Sequence, residues 1–247
     1  MAAAATGAAL TAAGLAGCAA GEPATRPWTQ PKSEAYATNP PTGSPVRDLT
    51  AKRALEEAVA NTAEASVHVR GSVTDGLGRS YRIDMRFGQS GSGSSGTISA
   101  GESTARVLRV GDEVWIKAPY DFWAAVGGSN FAAEYRNKYV KAPVDVVSFK
   151  GLIANTYADK LIARLTKGAG APAKGKEQSD LDGRPAVPLH TKATGGYGGT
   201  VWVSADGAPQ LLRIETAGTA PISGSIDFVD YGKRYEPVPP RPEQVAD

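Results

Sequence analysis

Polar and apolar positions alternate without interruption in the stretch YRIDMRF: Tyr81, Ile83, Met85 and Phe87 fall on one side, Arg82, Asp84 and Arg86 on the other. A period of two marks a strand with one dry face and one wet face. Just upstream, Val67, Val69 and Val73 alternate with His68, Arg70 and Ser72, and Asp75-Gly76-Leu77-Gly78 offers residues that tolerate positive φ between the two runs. Together they predict an antiparallel hairpin. After the Gly/Ser turn at 88–96, runs near 95–101, 104–110 and 113–118 continue the meander, with Gly101-Glu102 and Gly111-Asp112 as turns. A second group of runs covers about 176–182, 184–192, 199–204, 209–217 and 222–230.

Helical spacing appears in three places. Residues 48 to about 65 repeat Leu55, Val59 and Ala63 every fourth position, with Glu56, Glu57 and Glu64 off the stripe and Asp48 or Thr50 as caps. Residues 119–137 form a mixed helical segment holding Phe122, Trp123 and Phe131, and a short strand at 139–142 precedes Pro143. A further helix is expected over 155–166, with Tyr157, Leu161, Ile162 and Leu165 on one side, followed by a basic loop at 166–177. No strand–helix–strand rhythm occurs. The order of helix, strands, helices and strands predicts an α+β fold, one large antiparallel sheet with helices against one face.

The start of the chain is different. Residues 1–17 carry no charge and are mostly alanine, with Leu10 and Leu15 supplying most of the hydrophobicity. The stretch is shorter than the ~20 apolar residues of a membrane span, and it suits the apolar part of an export signal. No Lys or Arg precedes Arg26, so a start upstream of Met1 is expected. Leu15-Ala16-Gly17-Cys18 resembles the lipobox of bacterial lipoproteins. That resemblance implies a diacylglycerol on the Cys18 thiol and cleavage just before it. The alternative is a free cysteine in a tail. Cys18 is the sole cysteine, so no disulfide forms within one chain. Several acyl chains hold a protein on a membrane stably where one does not. The expected organisation is a lipoprotein signal peptide at 1–17, a lipidated flexible linker at 18–47, a folded domain at 48–236 and an extended proline-rich tail at 237–247.

Composition narrows the function by exclusion. Twenty-seven basic side chains face 25 acidic ones, which does not make the clustered cationic surface of a nucleic-acid binder. The two histidines, His68 and His190, have no zinc-ligand spacing. No G-x-S-x-G elbow occurs. Asp180 and Asp182 flank a turn, and the Gly-rich runs lack a Gly-Lys-Ser/Thr ending. No catalytic residue, metal or cofactor is expected. Trp115, Trp123 and Trp202 read either as core fillers or as walls of a cavity.

Several segments are familiar in their order: RVGDEVWIKAPYDFW with KYVKAP, SDLDGRPAVPLHTK, GTVWVSADGAPQLLRIET and SIDFVDYGKRYEPVPP. Over most of 48–242 they resemble the LppX/LprG-type actinobacterial lipoproteins of the LolA-like superfamily. The resemblance implies a single curved antiparallel sheet, a half-barrel with helices packed on its concave face, and acyl chains bound between them. The candidate cavity walls are Val67, Val69, Tyr81, Ile83, Met85, Phe87, Trp123, Leu161 and Leu165. The expected function is to bind or carry a lipid as a monomer tethered through Cys18 to the outer face of the cytoplasmic membrane. The alternative is a non-catalytic lipoprotein with a collapsed cavity, acting through protein partners or as a sensor.

Overall fold

The computed structural model describes residues 45–74, 77–142, 147–167, 170–176, 178–181, 183–192, 199–216 and 223–246. Helix α1 (Ala51–Glu64) starts at Thr50, whose hydroxyl accepts the Arg53 amide at 3.3 Å, one of the two expected caps. The hairpin that follows is β1 (Val67–Thr74) with β2 (Ser80–Phe87). Strands β3 (Gly93–Ala100), β4 (Ser103–Val110) and β5 (Glu113–Lys117) complete the first meander. Then come α2 (Tyr120–Tyr135), β6 (Tyr139–Lys141), α3 (Val147–Ala154) and α4 (Ala158–Thr166). The second meander is β7 (Ala173–Lys174), β8 (Gln178–Leu181), β9 (Arg184–Thr191), β10 (Gly199–Ser204), β11 (Leu211–Thr216) and β12 (Ser223–Val229).

Among the described residues all twelve strands join one sheet in the order β6-β5-β4-β3-β2-β1-β12-β11-β10-β9-β7, with β8 also on β9. Every strand pairing is antiparallel. The fold is α+β, a long antiparallel sheet with helices packed against one face. The two meanders are sewn together in the middle, where β1 pairs with β12. Two glycines make that seam possible. An added Cβ would stand 2.1 Å from the Ser225 carbonyl oxygen at Gly71 and 2.2 Å from the Ser72 oxygen at Gly224, and both backbones take positive φ, 150° and 138°. The two backbones approach closely there because no side chain keeps them apart.

The core lies on the face where alternate residues of each strand meet the helices. On the β-side it holds Val67, Val69, Met85, Phe87, Val107, Ile116, Leu189, Val201, Ile214, Ile226 and Phe228; Ala54, Ala58, Trp123, Phe149, Leu161 and Ile162 come from the helices. The stripe of α1 that is wholly buried is Ala54, Ala58 and Thr62, one position before the expected row of Leu55, Val59 and Ala63, which is only partly buried. Small side chains let the helix axis approach the sheet, and the larger neighbours flank the contact. Thr62 enters the core because its polar atoms are satisfied: Oγ1 accepts the Leu211 amide at 2.9 Å and lies 3.1 Å from the Tyr231 hydroxyl, which donates to the Leu211 carbonyl at 2.5 Å.

Four further differences have physical causes. Helix α3 was not expected: its sequence VSFKGLIA is rich in β-branched and aromatic residues and contains a glycine, all poor helix formers. It is held by packing, with Phe149 in the core. The basic loop at 166–177 contributes β7, and the Lys174 ammonium donates to the carbonyls of Val46, at 2.7 Å, and Leu49. Val46, placed before the domain by composition, is fully buried. The proline-rich tail turns at 242–244 and then lies along β6, where Tyr139 bridges Val245 and accepts the Ala246 amide at 2.8 Å.

Candidate ligand-binding face

The helix-covered face of the sheet brings most of the expected wall residues together. Across the β1–β2 hairpin Val67 faces Phe87, Val69 faces Met85 and Val73 faces Tyr81, while Ile83 faces Gly71. Val69 and Met85 are 0% exposed, Phe87 1%, Leu161 3% and Trp123 0%. Val67 and Ile83 are buried as well, and Leu165 packs against the same cluster. Tyr81, at the open end of β2, is 38% exposed. Cys18 lies outside the described residues.

Above the β4–β6 side, α2 carries an aromatic group with Trp123 at its centre. Its ring centroid is 5.0 Å from Phe122, 5.8 Å from Phe131, 6.2 Å from Tyr135 and 6.2 Å from Phe149 of α3. Edge-to-face and tilted arrangements of this kind suit the ring quadrupoles. The Trp123 indole N–H is buried and has no hydrogen-bond partner among the described residues. Helix α2 is broken at Gly128, whose backbone (φ 85°, ψ 179°) is not helical. Pro119 precedes the helix without capping it through a side chain. This cover is therefore joined to the sheet mainly by apolar contact, with a break in its own middle. The other tryptophans sit elsewhere. Trp115 is on the opposite face of β5, facing Leu108, and Trp202 joins Leu181, Ala186 and Leu212 in a small separate cluster.

One polar group on the dry face went unread in the sequence. Arg109 continues the inward set of β4 after Ala105 and Val107 and is only 3% exposed. Its guanidinium donates to the carbonyls of Thr156 (3.0 Å), Gly111 (2.8 Å) and Gly91 (3.1 Å), and lies 4.2 Å from the centre of the Tyr157 ring. Ser94, opposite Arg109 on β3, donates to the same Thr156 carbonyl at 2.7 Å. Burial pushes the Arg109 guanidinium down from its ordinary value. This arrangement pins the α3–α4 junction to the sheet. A charged residue in phase with an apolar stripe was the available signal.

The opposite face is polar. His68 is 7% exposed, with Nε2 2.7 Å from Asp84 Oδ1 and Nδ1 3.5 Å from Asp230 Oδ2. Arg86 and Lys233 also hold Asp230, at 3.2 and 2.9 Å. Burial alone would raise the Asp230 carboxyl, but the hydrogen bond and charge of Lys233, with Arg86 and His68, hold it below the usual carboxylate range. Among the described residues no group of three or more His, Cys, Asp or Glu side chains could hold a metal ion, and no helix is long and apolar enough to cross a membrane. On this face an open groove of about 590 Å³ runs between β2–β4 and the tail.

No protein-family model and no curated protein matches the chain. Among solved structures it is similar to a LolA superfamily protein from Nitrosomonas europaea, with 13% sequence identity, 81% of this chain and 98% of that chain covered, and a TM-score of 0.26. A likeness of that size bears no weight for fold or function, which rest on the chain's own geometry.

Proposed function

We propose that this chain is a non-catalytic, extracytoplasmic lipoprotein of the LppX/LprG type, tethered as a monomer to the outer face of the cytoplasmic membrane through acyl chains on Cys18. It binds a lipid acyl chain between the sheet and its helical cover. The observation that carries this reading is the cover itself: a helix broken at Gly128 that rests its aromatic side on an apolar sheet. Displacing such a layer breaks few hydrogen bonds, and each methylene of an incoming chain contributes ~0.8 kcal/mol on leaving water. Val69, Met85, Phe87, Trp123 and Leu161 become the walls once the layer lifts.

A second reading is favoured by a different observation. A void wide enough for an acyl chain would leave accessible surface on its walls, and Val69, Met85 and Trp123 have none. On this reading the core stays closed and the lipoprotein works through protein partners. Native mass spectrometry of the Cys18→Ser chain, purified from a lipid-containing host and then offered phospholipid, separates the two. The carrier reading expects bound lipid at one to one, with Trp123 emission changing on uptake. A clean apo mass before and after lipid addition would leave the closed-core reading standing.

A further inference from the structure

The polar face carries a line of residues that face one another from strand to strand. Arg213 of β11 faces Asp227 of β12, which faces Arg70 of β1, which faces Asp84 of β2. Up to this point opposite charges alternate, as cross-strand pairing favours. Asp84 then faces Thr97, Thr97 faces Arg106, Arg106 faces Lys117 and Lys117 faces Tyr139. The alternation fails at Arg106 and Lys117. Two cations stand directly opposite each other, an arrangement that destabilises a sheet. Among the described residues neither has an acidic partner, and Lys117 rests 5.6 Å from the centre of the Tyr139 ring.

This break in the pattern meets the groove at Arg106. Arg106 and Thr97 line it with Tyr139, Leu108 and Ser95, and the far wall is the tail from Tyr235 to Val238. The other charged groups on its lining are already engaged: Asp84 with His68 at 2.7 Å, Arg86 with Asp230 at 3.2 Å and Glu236 with Arg234 at 2.8 Å. Two cations on neighbouring strands, with a hydroxyl at Thr97 beside them, match the several oxygens of a tetrahedral anion better than the two oxygens of a carboxylate. Tyr139 and Tyr235, the latter hydrogen-bonded to Ser95 at 2.5 Å, give an attached group surface to lie on.

We propose that the phosphoryl group of a small organic phosphate binds at the β4–β5 side of this groove, held by Arg106 of its lining and by Lys117, which stands between the lining residues Arg106 and Tyr139 on the neighbouring strands. The site is on the opposite face from the lipid-binding face and does not depend on it. The phosphate arrives either as a soluble ester or as the headgroup of an anionic phospholipid. The test uses the full chain carrying Cys18→Ser, so that no acyl anchor contributes. One arm titrates glycerol 1-phosphate by calorimetry and by amide chemical shifts. The other measures co-sedimentation with vesicles of phosphatidylcholine, with and without phosphatidylglycerol.

Saturable binding is expected in at least one arm, weakening with added salt. Arg106→Gln and Lys117→Gln should each weaken it by about tenfold, the worth of one charged hydrogen bond, while Lys52→Gln on α1 leaves it unchanged. A response to the soluble ester assigns a free phosphate, and a response to phosphatidylglycerol vesicles alone assigns the headgroup. Because Arg106 repels Lys117, Arg106→Glu should raise the melting temperature while abolishing binding, which separates loss of the site from loss of the fold. Absence of saturable binding in both arms, or binding that the two glutamine variants leave untouched, overturns the proposal.

Discussion

Thr62 reaches from α1 to the backbone of β11, and its hydroxyl is the partner of a buried amide. Thr62→Val keeps the shape and removes that partner, so urea unfolding should show a loss of about 1–3 kcal/mol; Thr62→Ser should restore most of it. Asp230 is a second test at this scale. Its folded-state pKa lies below the unfolded value of about 3.8, so its contribution is present above that value and is lost as pH falls through the folded one. Asp230→Asn tolerates the residue's positive φ of 57° and removes the charge together with one acceptor oxygen. The variant should melt earlier than the parent at pH 7, and the gap should close below pH 3.8. Residues of this kind were the least legible in the sequence. Period two placed His68 on the wet side, but nothing local says that two acids from β2 and the end of β12 would meet it. Thr62 and Arg109 look like faults in an apolar pattern until their backbone partners, remote in sequence, are seen.

Elements were legible in proportion to how much of their stability is local. The β1–β2 hairpin, the β3–β5 meander and α1 each declare themselves within one short window, because turn glycines, alternation and a cap all agree there. Helix α3 does not, since its sequence disfavours a helix and only tertiary packing selects one. The close approach of β1 and β12 was not legible either: nothing near Gly71 in the sequence says that the backbone of β12 occupies the place of its side chain. Gly71→Ala must move one strand off the other or bend a positive φ, and thermal unfolding should show a loss of about 3 kcal/mol. Gly78→Ala, where nothing stands within 4 Å, measures the cost of positive φ alone and should lose less.

At the scale of the molecule, the two faces of one sheet divide the work. The dry face is closed by helices that touch it mostly through apolar surface, with a few buried polar ties at Thr62 and Arg109, and the wet face carries the charged rows and the groove. That division could be read from alternation alone; which strand lies beside which could not, because register across the middle is set by segments from both ends of the domain. Each meander zips from its own turns, so its contacts are close in sequence. The β1–β12 pairing is different. Val69 meets Phe228 only after most of the domain has been made, and closing so long a loop precedes any reward from it. The seam between the meanders is therefore expected to close last: until it does, β1 at the edge of one half-sheet and β12 at the edge of the other each present an unpaired backbone.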